Sequence, residues 1–237
     1  MAFIGLITAR GGSKAIPGKN VADLGGTPLV GWTFSAAVNS GLDRVILSSD
    51  DVRAMEIAQQ WGVEVPFTRP AELSTDRVRS IDVVKHCINE MGFEDSDVVL
   101  LLQPTSPFRD SSFISIACRL FEDRVDSVFS VQECTHHHPS RALFIDANGF
   151  LITDDFTGTA FFPRQEVPPV FFRNGAIYAA QVSTILRGSF LGEFCRPLVM
   201  DDFASLDINT SFDLEVARSL VKSRKLPSPS TTSKDGF

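Results

Sequence analysis

"AFIGLITARGGSKAIPGKN", residues 2 to 20, joins an apolar run to a loop that holds Arg10, Lys14 and Lys19 between glycines and carries no acidic residue. The run is rich in β-formers and stops at a Gly-rich segment, so it reads as a buried strand feeding a loop. Glycines after a strand let backbone N–H groups approach a ligand closely, and Arg and Lys add charge; together they make a polyphosphate cradle. The chain as a whole has a formal net charge of −7, so a local basic cluster calls for a local anion, read here as a nucleotide triphosphate. Two familiar cradles fail on spacing. G-x-x-x-x-G-K-[ST] is broken because Pro17 stands five after Gly12 and Asn20 follows Lys19, and no G-x-G-x-x-G occurs.

Outward from this stretch, strand and helix patterns alternate. "PLVGWTFSAAVN" (28–39) has helical character, with Pro28 suited to a first turn and Gly41 to a stop. "RVILSSDD" is a second strand and "DVRAMEIAQQWG" a helix, and "SIDVVKHCINEMG" repeats the helix-then-glycine pattern after the loop "RPAELSTDRVR". "DVVLLLQPTSPFRD" is a third buried strand running into a Pro-broken loop. Asp110 or Ser111 can cap "SFISIACRLFE", and "DSVFSV" is a further strand. This alternation predicts an α/β fold with a doubly wound, mostly parallel sheet. From about 133 to 170 the rhythm breaks, and Asn148-Gly149 offers a hairpin turn between two apolar stretches, read as an inserted β-ribbon. Its aromatic content, with Phe161, Phe162, Phe171 and Phe172 in or beside it, suits a partner surface. "GAIYAA" returns to strand and "SFDLEVARSLVK" is a last helix, started by Thr210 with Asp213 in a capping pattern. One domain over 1–222 is expected, with the polar, Pro/Ser-rich stretch 223–237 lacking fixed structure.

Composition bounds the function classes. A chain of 237 residues, 43% hydrophobic and 22% charged, can bury a sizeable core. Its acidic balance argues against a general nucleic-acid or anionic-membrane binder. Cys87, Cys118, Cys134 and Cys195 show no C-x-x-C spacing, which suggests neither a zinc site nor a disulfide framework and fits a reducing compartment. With no apolar run near membrane-span length and no basic signal-like start, a cytoplasmic protein without membrane or nucleic-acid partners is expected.

"ARGGSKAIPGKN" resembles the signature loop of the sialic acid cytidylyltransferases, the CMP-N-acylneuraminate synthetases. The likeness continues in order through "RPAELSTD" with "SID", "LLQPTSPFR", "HHP", "RNGAIY" and "LDINT", and leaves only the tail outside. Enzymes activating other nonulosonic acids, such as legionaminic or pseudaminic acid, share most of these motifs. The resemblance implies transfer of CMP from CTP to the anomeric hydroxyl of such a sugar, with Mg²⁺ as cofactor and a homodimer as the assembly.

By this resemblance Arg10, Gly11, Ser13, Lys14 and Lys19 meet the triphosphate, with Asn20, Ser80 and Arg69 near cytosine and ribose. Ser80 is equally placed to be a helix N-cap, and Asn20 to be a turn former. Gln103, where a strand's carboxyl end meets a loop, is implied to contact the acceptor sugar. Arg141 and Arg164 lie in the insertion and are implied to reach a neighbouring subunit's sugar carboxylate. Tyr178 lines the same pocket or packs in the sheet. His136, His137 and His138 alternate faces if extended and cannot all ligate one ion, so a structural or polar-pocket role is read for them. The family's D-x-D pattern appears here as Asp207, Ile208, Asn209. Asp207 is implied as principal Mg²⁺ ligand and Asn209 as a neutral second, since residues two apart in extended chain share a side. A bland alternative has Asp207 only holding the following turn. Two rival functions remain open at this point: a cytidylyltransferase for the eight-carbon acid of lipopolysaccharide, and a nucleotide-binding protein without catalysis.

Overall fold

A computed structural model describes residues 1–134, 138–153 and 168–229. In chain order the elements are β1 (Phe3–Ala9), β2 (Asp23–Leu24), β3 (Thr27–Pro28), α1 (Leu29–Val38), β4 (Arg44–Ser49), α2 (Val52–Gln60), α3 (Ser80–Met91), β5 (Val98–Leu102), α4 (Ser111–Arg119), β6 (Ser127–Glu133), β7 (Phe144–Ile145), β8 (Leu151–Ile152), β9 (Phe171–Gln181), α5 (Val182–Leu186), β10 (Cys195–Val199) and α6 (Ser211–Arg224). The central sheet has the order β10-β6-β9-β5-β1-β4. β1 pairs in parallel with β4 and β5, and β10 with β6, while β9 runs antiparallel to both β5 and β6. Five strands therefore point one way and β9 opposes them, a mixed α/β sheet that is mostly parallel.

The alternation of side chains along each strand feeds two cores. Ile7, Val45, Leu47, Leu100 and Leu102 pack under α1, α2 and α4 on one face, and Ile4, Leu6, Ile46, Val99 and Leu101 pack under α3 and α5 on the other. A third cluster joins Trp32 of α1 to Leu214, Ala217 and Val221 of α6 through Leu24 of the small β2–β3 hairpin. Gly25 at that hairpin's tip has φ +66, and a Cβ there would stand 2.5 Å from a Val221 methyl. Only glycine allows this approach.

Local signals explain most boundaries. Asp51 caps α2 by accepting from Arg53 N, and Asp110 caps α4 by accepting from Ser112 N and Phe113 N. Thr210 and Asp213 form a complete capping box at α6. Gly92 closes α3 in the left-handed region. Pro28, expected inside the first turn of α1, is instead its N-cap residue. Ser80 is the first residue of α3 and Arg79 its N-cap, so the capping alternative for Ser80 does not hold. The tail departs from expectation too: α6 continues to Arg224, Ser228 Oγ donates to the Gly25 carbonyl, and Thr27 Oγ1 donates to the Pro229 carbonyl. Residues 230–237 lie outside the described residues.

Within the insertion, β7 and β8 pair antiparallel around Asn148-Gly149. Asp146 accepts from Asn148 N and Phe150 N, and Gly149 takes φ +85. Arg164 and residues 135–137, including His136 and His137, lie outside the described residues. His138 has a structural role: its Nδ1 accepts from Ser140 N and its Nε2 reaches the Pro168 carbonyl at 3.1 Å, tying the two ends of the insertion together. No helix among the described residues is long and apolar enough to cross a membrane, and the four cysteines are unpaired.

Candidate active site

Three neighbouring parallel strands end side by side. β1 runs into Arg10, β4 into Asp50 and β5 into Gln103. In open α/β sheets such carboxyl ends border the ligand crevice. A cavity of about 240 Å³ opens there. Arg10, Ser13, Lys19, Asn20, Arg69, Ser80 and Gln103 line it, with Thr8, Thr75, Asp76 and Thr105 among the others.

The loop after β1 is held open from both ends. Gly11 N donates to Asp50 Oδ1 at 2.9 Å, and Asn20 Nδ2 donates to the Arg10 carbonyl at 2.9 Å, so Asn20 clamps the loop as well as facing the cavity. Lys19 Nζ donates to the Ile208 carbonyl at 3.0 Å. That bond brings the chain's last loop to the cradle. Burial lowers the Lys19 pKa, against the opposing pull of Asp207, and nearby Arg10 lowers it further. Arg69 is buried, with Nε donating to Ser48 Oγ at 3.0 Å and Nη2 to the Ser48 carbonyl. Desolvation there pulls its guanidinium down to about 10 despite Asp50, leaving it charged at neutral pH.

Lys14 is mostly exposed and reaches the cradle through Asp76, 2.6 Å away, which also pairs with Arg10. The two cations hold the Asp76 carboxyl below the usual carboxylate range, Lys14 foremost. Asp76 lies in the quoted "RPAELSTD" motif, yet a carboxylate inside an anion site leaves no mark in sequence spacing.

Asp207 and Asn209 adjoin this basic group. Asn209 Nδ2 donates to Asp207 Oδ2 at 2.7 Å, and Ile208 N donates to the Thr105 carbonyl at 2.8 Å. Asp207 Oδ1 is buried with no hydrogen-bond partner among the described residues. A buried, unpaired carboxylate oxygen beside a phosphate-type cradle fits a hard divalent cation that takes one protein carboxylate and completes its shell with water and phosphate oxygens. No cluster of three or more His, Cys, Asp or Glu ligands exists among the described residues. Asp207 thus fits Mg²⁺, while Asn209 already spends its amide N–H on Asp207.

Two implied sugar contacts lie elsewhere. Tyr178 packs between Phe129 and Phe190, with ring centroids 4.9 and 6.1 Å away, rather than on the cavity wall. Arg141 ends a 3-10 turn, Pro139–Arg141, exposed and away from the cavity.

A nucleotide-binding α/β transferase is the class this sheet and its basic crevice define. The cytidylyltransferase family model matches residues 4–194, and the chain belongs to that family; it is a nucleotidyltransferase. The CMP-N,N'-diacetyllegionaminic acid synthase of Legionella pneumophila is 34% identical over 231 residues, which cover 94% of this chain and 97% of that one. The pseudaminic acid cytidylyltransferase of Campylobacter jejuni is 31% identical over 92% of this chain and 95% of its own length. An N-acylneuraminate cytidylyltransferase of Streptococcus agalactiae is 35% identical over 88% of this chain, which spans only 50% of that longer relative. Among solved structures, a CMP:2-keto-3-deoxy-manno-octonic acid synthetase complexed with CTP shares the fold at a TM-score of 0.71 and 16% identity, over 94% of this chain and 100% of the other.

Proposed function

We propose that this chain transfers CMP from CTP to the anomeric hydroxyl of a nonulosonic acid, releasing pyrophosphate. The observation that carries the reading is the convergence of Arg10, Ser13, Lys19, Asn20, Arg69, Ser80 and Gln103, from separate segments of the chain, on one cavity at the strands' carboxyl ends. The sugar hydroxyl oxygen bonds to the α-phosphorus as the bond from that phosphorus to the bridging oxygen breaks, pyrophosphate leaves with the electron pair, and the hydroxyl proton passes to solvent. Such chemistry asks the protein for alignment and charge neutralisation rather than covalent participation. Arg10, Lys14 and Lys19 neutralise the triphosphate, and the Gly11–Gly12 backbone lets it come close. Ser80, Arg69 and Asn20 border the nucleoside, and Gln103 offers an amide to the acceptor. Mg²⁺ held by Asp207, with Asn209 beside it, supplies further charge neutralisation at phosphate oxygens when bound.

The assembly belongs to the same reading. Leu143, Phe144, Ile145, Phe150, Leu151 and Ile152 are all exposed, an apolar hairpin face suited to burial against a second copy. A homodimer in the cytoplasm, with Arg141 and Arg164 reaching the neighbouring sugar site, is the arrangement we propose, with the insertion as its dimerisation element.

Pyrophosphate release with CTP and Mg²⁺ tests the activity across legionaminic, neuraminic, pseudaminic and 3-deoxy-octulosonic acids. Release with a nine-carbon acid is expected, and folded protein inert toward the whole panel overturns the proposal. Asp207→Ala is expected to lose most activity at any practical Mg²⁺ concentration; wild-type metal dependence in that variant removes Asp207 from the site.

A further inference from the structure

The largest fully buried side chain among the described residues is a cation. Arg109 is 1% exposed, and no carboxylate among the described residues pairs with it. Burial alone pulls its guanidinium to about 9, so it stays protonated at neutral pH. Its Nη1 donates to the Ala176 carbonyl at 2.8 Å and to the Gln103 carbonyl at 3.3 Å, while Nε and Nη2 have no partner among the described residues. A charge kept in such surroundings needs a reason, because the desolvation cost falls on the fold.

The place of those two carbonyls supplies one. The β5–β9 ladder ends at Leu101 opposite Tyr178. Two residues further along the same register Gln103 falls opposite Ala176, and the Arg109 guanidinium bonds to both carbonyls. The β5–β9 pairing has ended by this point, and Gln103 lines the cavity. Gly175 faces the Gln103 amide: it has φ +79, and a Cβ there would sit 3.8 Å from Gln103 Nε2. Asn174 anchors this turn, its Oδ1 accepting from Ala176 N at 3.2 Å and its Nδ2 donating to Ser205 Oγ at 2.9 Å.

We propose that Arg109 is a positioning residue for acceptor recognition, holding the Gln103 and Ala176 carbonyls so that the strand ends stay parted and the Gln103 amide is fixed in the cavity. This rests on the reading of Gln103 as a contact of the acceptor sugar. Arg109 touches no substrate. Its removal therefore acts on the acceptor KM through Gln103, while the nucleotide half of the site keeps its own anchors on Asp50, Ser48 and Ile208.

Steady-state kinetics of Arg109→Met, Arg109→Lys, Gln103→Ala and the Arg109→Met/Gln103→Ala double variant provide the test, with CTP affinity by calorimetry without acceptor as the control. Arg109→Met is expected to raise the acceptor KM about tenfold, with the CTP Kd within about twofold of wild type and Arg109→Lys recovering part of the loss. The double variant is expected to be no worse than Gln103→Ala, because both changes remove one interaction. Wild-type acceptor KM in Arg109→Met, or CTP affinity falling in step with acceptor affinity, overturns the proposal; so does additivity in the double variant. Should Arg109→Met fail to fold, Arg109→Lys decides, and an unchanged acceptor KM in it is equally fatal. Gln103→Ala with wild-type acceptor KM overturns the reading of Gln103 itself and takes this proposal with it, whereas a raised KM there beside a silent Arg109 series defeats this proposal alone.

Discussion

Lys19 is the residue where burial and function pull against each other. Its ammonium is partly removed from bulk water and bonded to the Ile208 carbonyl, and its pKa lies below the 10.5 of an ordinary lysine. Between the folded value and 10.5 the native state binds fewer protons than the unfolded chain. The cost of burying the charge is therefore carried in full at low pH and relieved as pH rises through that window. Function runs the other way, since a neutral amine no longer neutralises phosphate. The kcat/KM for CTP, which reports the free enzyme, is expected to fall on the alkaline side at a lower pH than an ordinary lysine gives, and Lys19→Arg is expected to move that limb upward. A limb identical in Lys19→Arg shows that another group titrates. Lys19 was legible in the sequence because its motif is contiguous, as were Arg10, Ser13 and Asn20. Asp76 and Arg109 were not. Their meaning depends on partners far along the chain, as in the bond from Arg109 to Ala176, and a buried cation bonded to carbonyls leaves no periodic trace. Tyr178 shows the converse, an implied pocket residue that the sheet uses to pack aromatic neighbours.

At the scale of elements, strands with unbroken apolar runs were plain: "FIGLITA" and "VVLLL" are buried on both faces and read as nothing else. The edge strand β10, "CRPLV", escaped notice because only Leu198 is buried and Pro197 suits an edge. The direction of β9 was equally illegible, since side-chain alternation is the same whichever way a strand runs. Helix starts were readable wherever a side chain accepts a backbone N–H. At α6 the Asp213 carboxylate accepts from Asn209 N at 2.9 Å and Thr210 N at 2.7 Å, while Thr210 Oγ1 accepts from Asp213 N at 3.3 Å. Thr210→Ala is expected to lower stability by about 1 kcal/mol in denaturant unfolding, with Thr210→Ser close to wild type. The Thr210 backbone N–H, chiefly, holds the Asp213 carboxyl below its ordinary value of 3.8. That contribution is present above 3.8 and is lost as pH falls through the lower folded value; Thr210→Ala keeps the backbone N–H and removes only the hydroxyl's share, so most of the Thr210→Ala difference should persist in strong acid. A difference that vanishes there shows that the hydroxyl acts through the Asp213 carboxylate and not by accepting from Asp213 N.

For the whole molecule, the placing of the insertion matters more than its content. It leaves from β6 and returns into β9, and these two strands are direct antiparallel neighbours, with Glu133 opposite Phe171 and Cys134 N bonded to the Val170 carbonyl at 2.7 Å. Replacing residues 135 to 169 by an Asn-Gly turn therefore closes an ordinary hairpin. Loop closure itself changes by only about 0.6 kcal/mol for each doubling of length. The shortened chain is expected to fold and to bind CTP, and light scattering is expected to find the parent dimeric and the shortened chain monomeric; a shortened chain that dimerises as the parent does places the interface elsewhere. The same geometry makes the segment a cassette. Its two ends are clasped to each other before it begins, so its length, composition and partner can be exchanged by evolution or by an engineer while the loops that line the cavity keep their own anchors on Asp50, Arg10 and Ile208. Assembly and specificity can then diversify on an unchanged chemical chassis, one graft at a time.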